Sequence, residues 1–202
     1  VTGAAPIPPS VPDMRVLLEG ARTLGGAHGA VLEICLLTLC LPFEAVAIDL
    51  ERINWRNGHV PVPLRKGGAR ILPLPGPARQ TIIRIAGASR ATGQAVTAGR
   101  GRRLKHADVR LDRLQDWLAD EAPATIPVPP WNFHGIRMAG RHALLEHGRT
   151  MREANAAVGV VARPTSRADI LPPSRIEGLA AVGLEVWCEI LLGGGRARTG
   201  KG

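Results

Sequence analysis

WNFHGIRMAGRHALLEHG, residues 131–148, is the stretch whose reading decides the fold. Pro127, Pro129 and Pro130 precede it, and each disfavours helical geometry in the residue before it. Beyond them the spacing predicts a helix over 134–147, stopped by Gly148, a residue suited to a left-handed cap. His134 and Arg137 stand three apart and share a face, with Arg141 close to the same line. Ile136, Ala139, Gly140 and Ala143 form the opposite face, small enough for a second helix to come close. An imidazole beside a guanidinium suits a phosphate, since one gives a fixed fork of donors and the other a donor or a proton. A solvated basic face accounts for the same spacing.

Working outward, the 202 residues are enough for one substantial domain, and 45% hydrophobic residues can supply its core. The formal charge of +9 favours an anionic partner, most simply nucleic acid. A membrane is disfavoured. The most apolar run, residues 30–41, is too short to span a bilayer and carries Glu33. There is no secretory leader, which predicts a cytoplasmic protein. Cys35, Cys40 and Cys188 are odd in number and lack metal spacing, so they read as buried thiols. The chain contains no tyrosine.

Residues 1–10 read as a proline-rich, linker-like leader, 11–192 as the domain and 193–202 as a disordered basic tail. Ser10 and Asp13 form a capping-box start for a helix striped by Val16, Leu17, Leu18 and Ala21. A glycine-bearing turn over 23–29 leads to a helix over 30–41, apolar nearly all round and therefore buried. Pro42 interrupts it, and residues 43–50 add one or two helical turns. Asn57-Gly58 signals a turn before two extended segments, 59–64 and 70–74. Pro61 and Pro63 place the first at a sheet edge or make it irregular. Arg65-Lys66-Gly67-Gly68 is a basic hairpin tip, equally readable as a solvated turn.

Pro77 opens a helix carrying Ile82, Ile83 and Ile85, and residues 87–103 form a long, mobile basic loop that includes Arg100, Arg102 and Arg103. Helical period returns over 104–121. Thr150 caps a helix to about Val161, which Arg163-Pro164 ends, and Ser174 caps a last one through Ile176, Leu179, Ala180, Leu184, Trp187 and Leu191. The architecture is mainly α with a small antiparallel β-sheet.

Taken in order, residues 11–191 resemble the catalytic domain of the phage integrase, or tyrosine recombinase, family, whose His-x-x-Arg box corresponds to His134-Gly135-Ile136-Arg137. The resemblance implies the fold of DNA breaking–rejoining enzymes. It also implies a chemistry in which a tyrosine attacks a phosphodiester while arginines and a histidine hold its oxygens and a lysine protonates the leaving 5′-oxygen, with no metal or cofactor. The family's Thr-Gly-x-Arg-x-x-Glu pattern is similar to residues 38–44, TLCLPFE, where Glu44 persists, Leu39 takes the glycine position and Leu41 the arginine position. Glu44 is equally readable as a carboxylate at a helix start. Lys66, ahead of Arg70-Ile71-Leu72-Pro73-Leu74, takes the general-acid lysine position, with Arg65 as the lesser alternative. Val160 follows Ala157-Val158-Gly159 in the second histidine position, and the nucleophile position falls on or near Thr165.

Lys66, His134 and Arg137 are thus the retained catalytic positions, and Leu41, Val160 and Thr165 occupy lost ones. Arg65, Arg70, Arg100, Arg102, Arg103 and Arg141 are expected to contact DNA. The implied function is a degenerate, truncated recombinase domain that lacks the family's arm-like N-terminal domain. It would bind duplex DNA, and other recombinase protomers, without cutting. A recombinase that borrows a partner's nucleophile, or a helical interaction protein with no DNA role, are the alternatives.

Overall fold

The computed structural model describes residues 8–65, 67–89, 97–98, 102–103, 131–160 and 171–193. Helix α1 (Val11–Leu24) starts at the expected capping box: the Ser10 hydroxyl accepts from the Asp13 amide at 3.3 Å, and the Asp13 carboxylate accepts from the Ser10 amide at 2.7 Å. Its buried stripe is Met14, Leu17, Leu18 and Ala21, with Val16 only half-buried. The turn expected over 23–29 contracts to Gly25, whose φ of 59° lets α2 (Gly26–Thr38) begin at once.

Every residue of α2 from Gly29 to Thr38 is buried, as its apolar sequence demands. It stops three residues before the expected end, and the reason is Leu39. That leucine adopts the left-handed region at φ 50°, ψ 24°, in a place where the family resemblance puts a glycine. A side chain there costs about 1–2 kcal/mol, and full burial of Leu39 offsets the cost. Pro42 therefore does not break a helix; it opens the short α3 (Pro42–Ala45), followed by a 3-10 turn at Leu50–Arg52.

Gly58 (φ 65°) turns the chain into β1 (His59–Pro63), which pairs antiparallel with β2 (Ala69–Pro73) in the register Pro61↔Ile71. In a two-stranded sheet both strands are edges, so Pro61 and Pro63 fit. Helix α4 (Gly76–Ser89) buries Ile82 but leaves Ile83 60% exposed, so Ile83 is not a core residue. It also runs into the segment expected to be loop, and within the remainder β3 (Thr97–Ala98) pairs with β4 (Arg102–Arg103). The helix expected over 104–121 and the Arg163-Pro164 stop lie outside the described residues.

Helix α5 (Phe133–Glu146) starts one residue earlier than expected. Asn132 is its cap, accepting the Gly135 amide at 2.7 Å, and Gly148 follows its end at φ 75°. Helix α6 (Met151–Ala157) has the capping box of Thr150 and Glu153 and ends four residues before Val161. Helix α7 (Pro173–Leu192) begins with proline at its first position, after Pro172 as cap, so Ser174 lies inside the first turn and is not the cap.

The core closes around α2. Trp187 of α7 donates its indole N–H to the Leu36 carbonyl at 2.7 Å, and the Cys188 thiol donates to that of Leu37 at 3.4 Å. Two carbonyls left over at the helix end are thereby satisfied. Glu33, the one charge on α2, is buried and paired with Arg22 of α1 at 2.9 Å and with Arg84 of α4. The small face of α5 admits the side chain of Leu39: a Cβ on Gly140 would lie 2.5 Å from its Cδ2. All three cysteines are free and buried. Among the described residues no helix is long and apolar enough to cross a membrane.

Two outcomes follow from this packing. Gly140→Ala should lower stability by about 1–3 kcal/mol through overpacking, and by much less in a Leu39→Ala background, where the space has been cleared. Urea unfolding of the two single variants and the double variant measures the coupling; additive losses would mean that the two residues do not compete for space.

The second concerns pH. Burial, reinforced by Glu185 and Glu189, pushes the Cys188 thiol up to about 12. The folded state holds this proton more tightly than the unfolded chain does, so the contribution is intact below the ordinary thiol range and lost as pH rises toward 12. Wild-type stability should therefore fall more steeply than that of Cys188→Ala above about pH 9, which urea midpoints over that range would measure.

Candidate phosphate-binding site

The left-handed turn at Leu39 points the chain away from α2 and sets Leu41 as the cap of α3. Glu44, three residues on, is 2% exposed. Its Oε2 accepts the Leu41 backbone N–H at 2.7 Å, and its Oε1 accepts from Arg70 Nε on β2 at 2.6 Å. Glu44 is therefore both the helix-start carboxylate and one half of a largely buried ion pair, with the Arg70 side chain only 14% exposed. Leu41 itself is half-buried and brings no polar side chain.

Arg137 of α5 is half-buried and feels the charge of the same carboxylate. Burial pulls its pKa below the ordinary arginine value, the Glu44 charge pushes it back up, and the Arg70 guanidinium lowers it again. The two guanidinia thus lie within electrostatic reach of each other, and an arginine stays protonated under such shifts. His134, one turn earlier on α5, is exposed.

The buried thiols of Cys35 and Cys40 feel the same charges. Burial raises the Cys35 pKa, and Arg137 opposes the rise. A thiol held neutral in this way is inert as a nucleophile. The far side of Arg70 is closed by backbone. Gly159 after α6 has φ 67°, and a Cβ on it would fall 2.8 Å from Arg70 Cζ and 2.9 Å from Nη1.

The other expected residues distribute differently. Arg65 is exposed at the hairpin tip, and Val160, in the second histidine position, is 46% exposed. Arg141 gives its donors to α6, with Nε to Asn155 Oδ1 at 2.7 Å and Nη2 to Met151 Sδ at 2.7 Å. Arg102 and Arg103 form β4. Lys66, Arg100 and Thr165 lie outside the described residues. Sequence reading assigned Arg70 to a DNA-facing surface and missed its bond to Glu44; the available signal was a carboxylate in an apolar stretch, which needs a cation. Nothing in the sequence linked Gly159 to Arg70. Among the described residues no group of three His, Cys, Asp or Glu could hold a metal ion.

No family model matches the chain, and no curated protein matches it either. Solved structures do. XerA recombinase is similar at a TM-score of 0.61 with 15% identity, over 88% of this chain and 65% of that one. The integrase from mycobacterium phage Brujita gives 0.58 and 17%, over 92% and 59%. The Tn1549 transposon integrase, solved in complex with transposon right end DNA, gives 0.54 and 12%, over 94% and 62%. The chain thus spans 59–65% of the length of these three. At such identities the likeness carries the fold alone, one like that of recombinase and integrase catalytic domains, mainly helical with a small antiparallel sheet.

Proposed function

We propose that this chain is a cytoplasmic, degenerate recombinase-type domain that binds the phosphate backbone of duplex DNA and does not cut it. The observation that carries the reading is the Arg70–Glu44 ion pair, whose charges reach Arg137 of the His-x-x-Arg box, in a chain of net charge +9 with no tyrosine at all. Two arginine forks in a partly buried site hold a phosphate through charge and directed donors, and burial strengthens both. The shared fold and a DNA-bound structural relative favour the same partner.

Cleavage needs a nucleophile that ionises at modest cost. A phenol does so at a pKa of about 10, whereas the alcohol of Thr165 is far less acidic and its arm is short. Leu41 and Val160 further remove a charge and a donor from the transition state, and losing one such group costs about 100-fold or more in rate. Even Thr165→Tyr alone would restore little, because groups that act as one catalytic unit are not additive.

Binding to duplex DNA should be weak and largely independent of sequence, with affinity falling steeply as salt releases condensed counterions. Fluorescence anisotropy across a salt series measures this, and Arg137→Ala should lower the affinity without loss of helicity. No binding at low salt, or binding indifferent to salt, would leave the helical interaction protein as the better reading.

On nicked suicide duplexes the purified chain should give no protein–DNA adduct that survives denaturation. A specific adduct at any residue would overturn the loss of cleavage.

A further inference from the structure

We propose that the turn formed by residues 54–58, which carries Trp55 and Arg56 and has Arg79 of α4 against it, is a binding surface for single-stranded nucleic acid. Trp55 stacks on an unpaired base and the arginines take the adjoining phosphates. The surface is separate from the site around Glu44 and does not depend on duplex binding.

The first observation is exposure. Among the described tryptophans, Trp131 and Trp187 are buried, whereas Trp55 is 42% exposed. One exposed apolar side chain is ordinary on a protein surface; what accompanies Trp55 is not. Ile83, one helical turn after Arg79 and on the same face of α4, is 60% exposed and extends the apolar surface.

The second is rigidity. The Asn54 carbonyl accepts the amides of Gly58 at 2.8 Å and His59 at 3.3 Å, and the Asn54 side chain accepts that of Asn57 at 3.0 Å. The Gly58 carbonyl accepts the Leu74 amide at 2.7 Å, which ties the turn to the chain beyond β2. Trp55 and Arg56 are therefore carried on a backbone that loses little freedom on binding.

The third is charge. Arg52 and Arg56 are exposed, and a Cβ on Gly58 would lie 3.5 Å from Arg79 Cζ, so a third guanidinium meets the same turn. Arg22, Arg70, Arg84 and Arg149 are each paired with a glutamate, whereas among the described residues none of Arg52, Arg56 and Arg79 is. Glu51 is exposed beside them, and the Asp49 carboxylate accepts the Glu51 amide, so three cations against two carboxylates leave one positive charge. An anion is the missing partner.

A ring next to a guanidinium matches the repeat of a single strand, one base and one phosphate per nucleotide. Every base has a face to stack once it is unpaired, and the guanidinium fork suits phosphate. The pairing of His59 with Pro73 and of Pro63 with Ala69 puts this turn at the opposite end of the sheet from the hairpin tip that bears Arg65.

The test is fluorescence anisotropy of the full chain with a labelled oligothymidylate of about 12 nucleotides. Trp55→Ala should weaken binding by about tenfold or more, and Trp55→Phe, which keeps a ring, by much less. Tryptophan emission should be quenched when wild type binds, and the quenching should be lost in Trp55→Phe although the oligonucleotide still binds; this readout serves if Trp55→Ala fails to fold. Trp55→Ala should leave affinity for duplex DNA unchanged. A wild type that binds oligothymidylate and no duplex keeps this surface and overturns the duplex reading. No binding of oligothymidylate, wild-type affinity in folded Trp55→Ala, or quenching that persists in Trp55→Phe overturns the proposal. So does an oligoglutamate peptide that displaces the oligothymidylate and loses as much affinity in Trp55→Ala, since the surface would then hold an acidic protein segment.

Discussion

A helix with no polar face has to be covered on every side, and α2 sets that demand on the rest of this fold. Helices α1, α4 and α7 pack around it, with α3 at its end, because residues 29–38 leave no surface for water. The coverage is specific at two points. Glu33 would be prohibitive as a lone buried charge, and it is admitted because Arg22 and Arg84 reach it from opposite neighbours while keeping partial contact with solvent. At the other end, Trp187 and Cys188 take up carbonyls that the helix cannot bond itself. These bonds fix α7 along the helix axis as well as against it, and Arg15 of α1 closes the circuit by donating to the Ile190 and Leu191 carbonyls at 2.9 and 3.1 Å.

The end of α2 is also where the site begins. A left-handed leucine is costly, and glycine is the residue that usually occupies such a turn. Here Leu39 fills the groove left by Gly140, so a strained backbone and a missing side chain on a distant helix compensate each other. The turn delivers Leu41 and Glu44 to the edge of the core, where Arg70 bonds the carboxylate. The carboxylate does two jobs: it caps α3 and it sets the plane of the Arg70 guanidinium.

The elements of the fold were largely legible. The capping box at Ser10, the cap at Thr150, the Asn57-Gly58 turn, the apolar run of α2 and the small face of α5 all act through neighbours close in sequence, and the structure contains each of them. The misplaced boundaries have local causes of a subtler kind. Leu39 ends α2 by a conformation that leucine rarely takes, and Pro172–Pro173 starts α7 without any side-chain cap, so neither left the residue signature on which a boundary is usually read. Ile83 follows helical period but falls outside the covered arc of α4.

By itself, then, the sequence determined the helical class, the buried helix, the positive charge and the absence of tyrosine, since composition and short-range spacing carry those properties. Only the tertiary structure decided which arginines share a site. Arg141 lies on the same helix as Arg137 yet gives its donors to Asn155 and Met151, whereas Arg70, 26 residues from Glu44, becomes its closest partner. The reason is physical. A guanidinium is placed by whichever carboxylate, amide or backbone the folded chain brings within about 3 Å, and at 26 residues' separation no periodicity in the sequence encodes that approach.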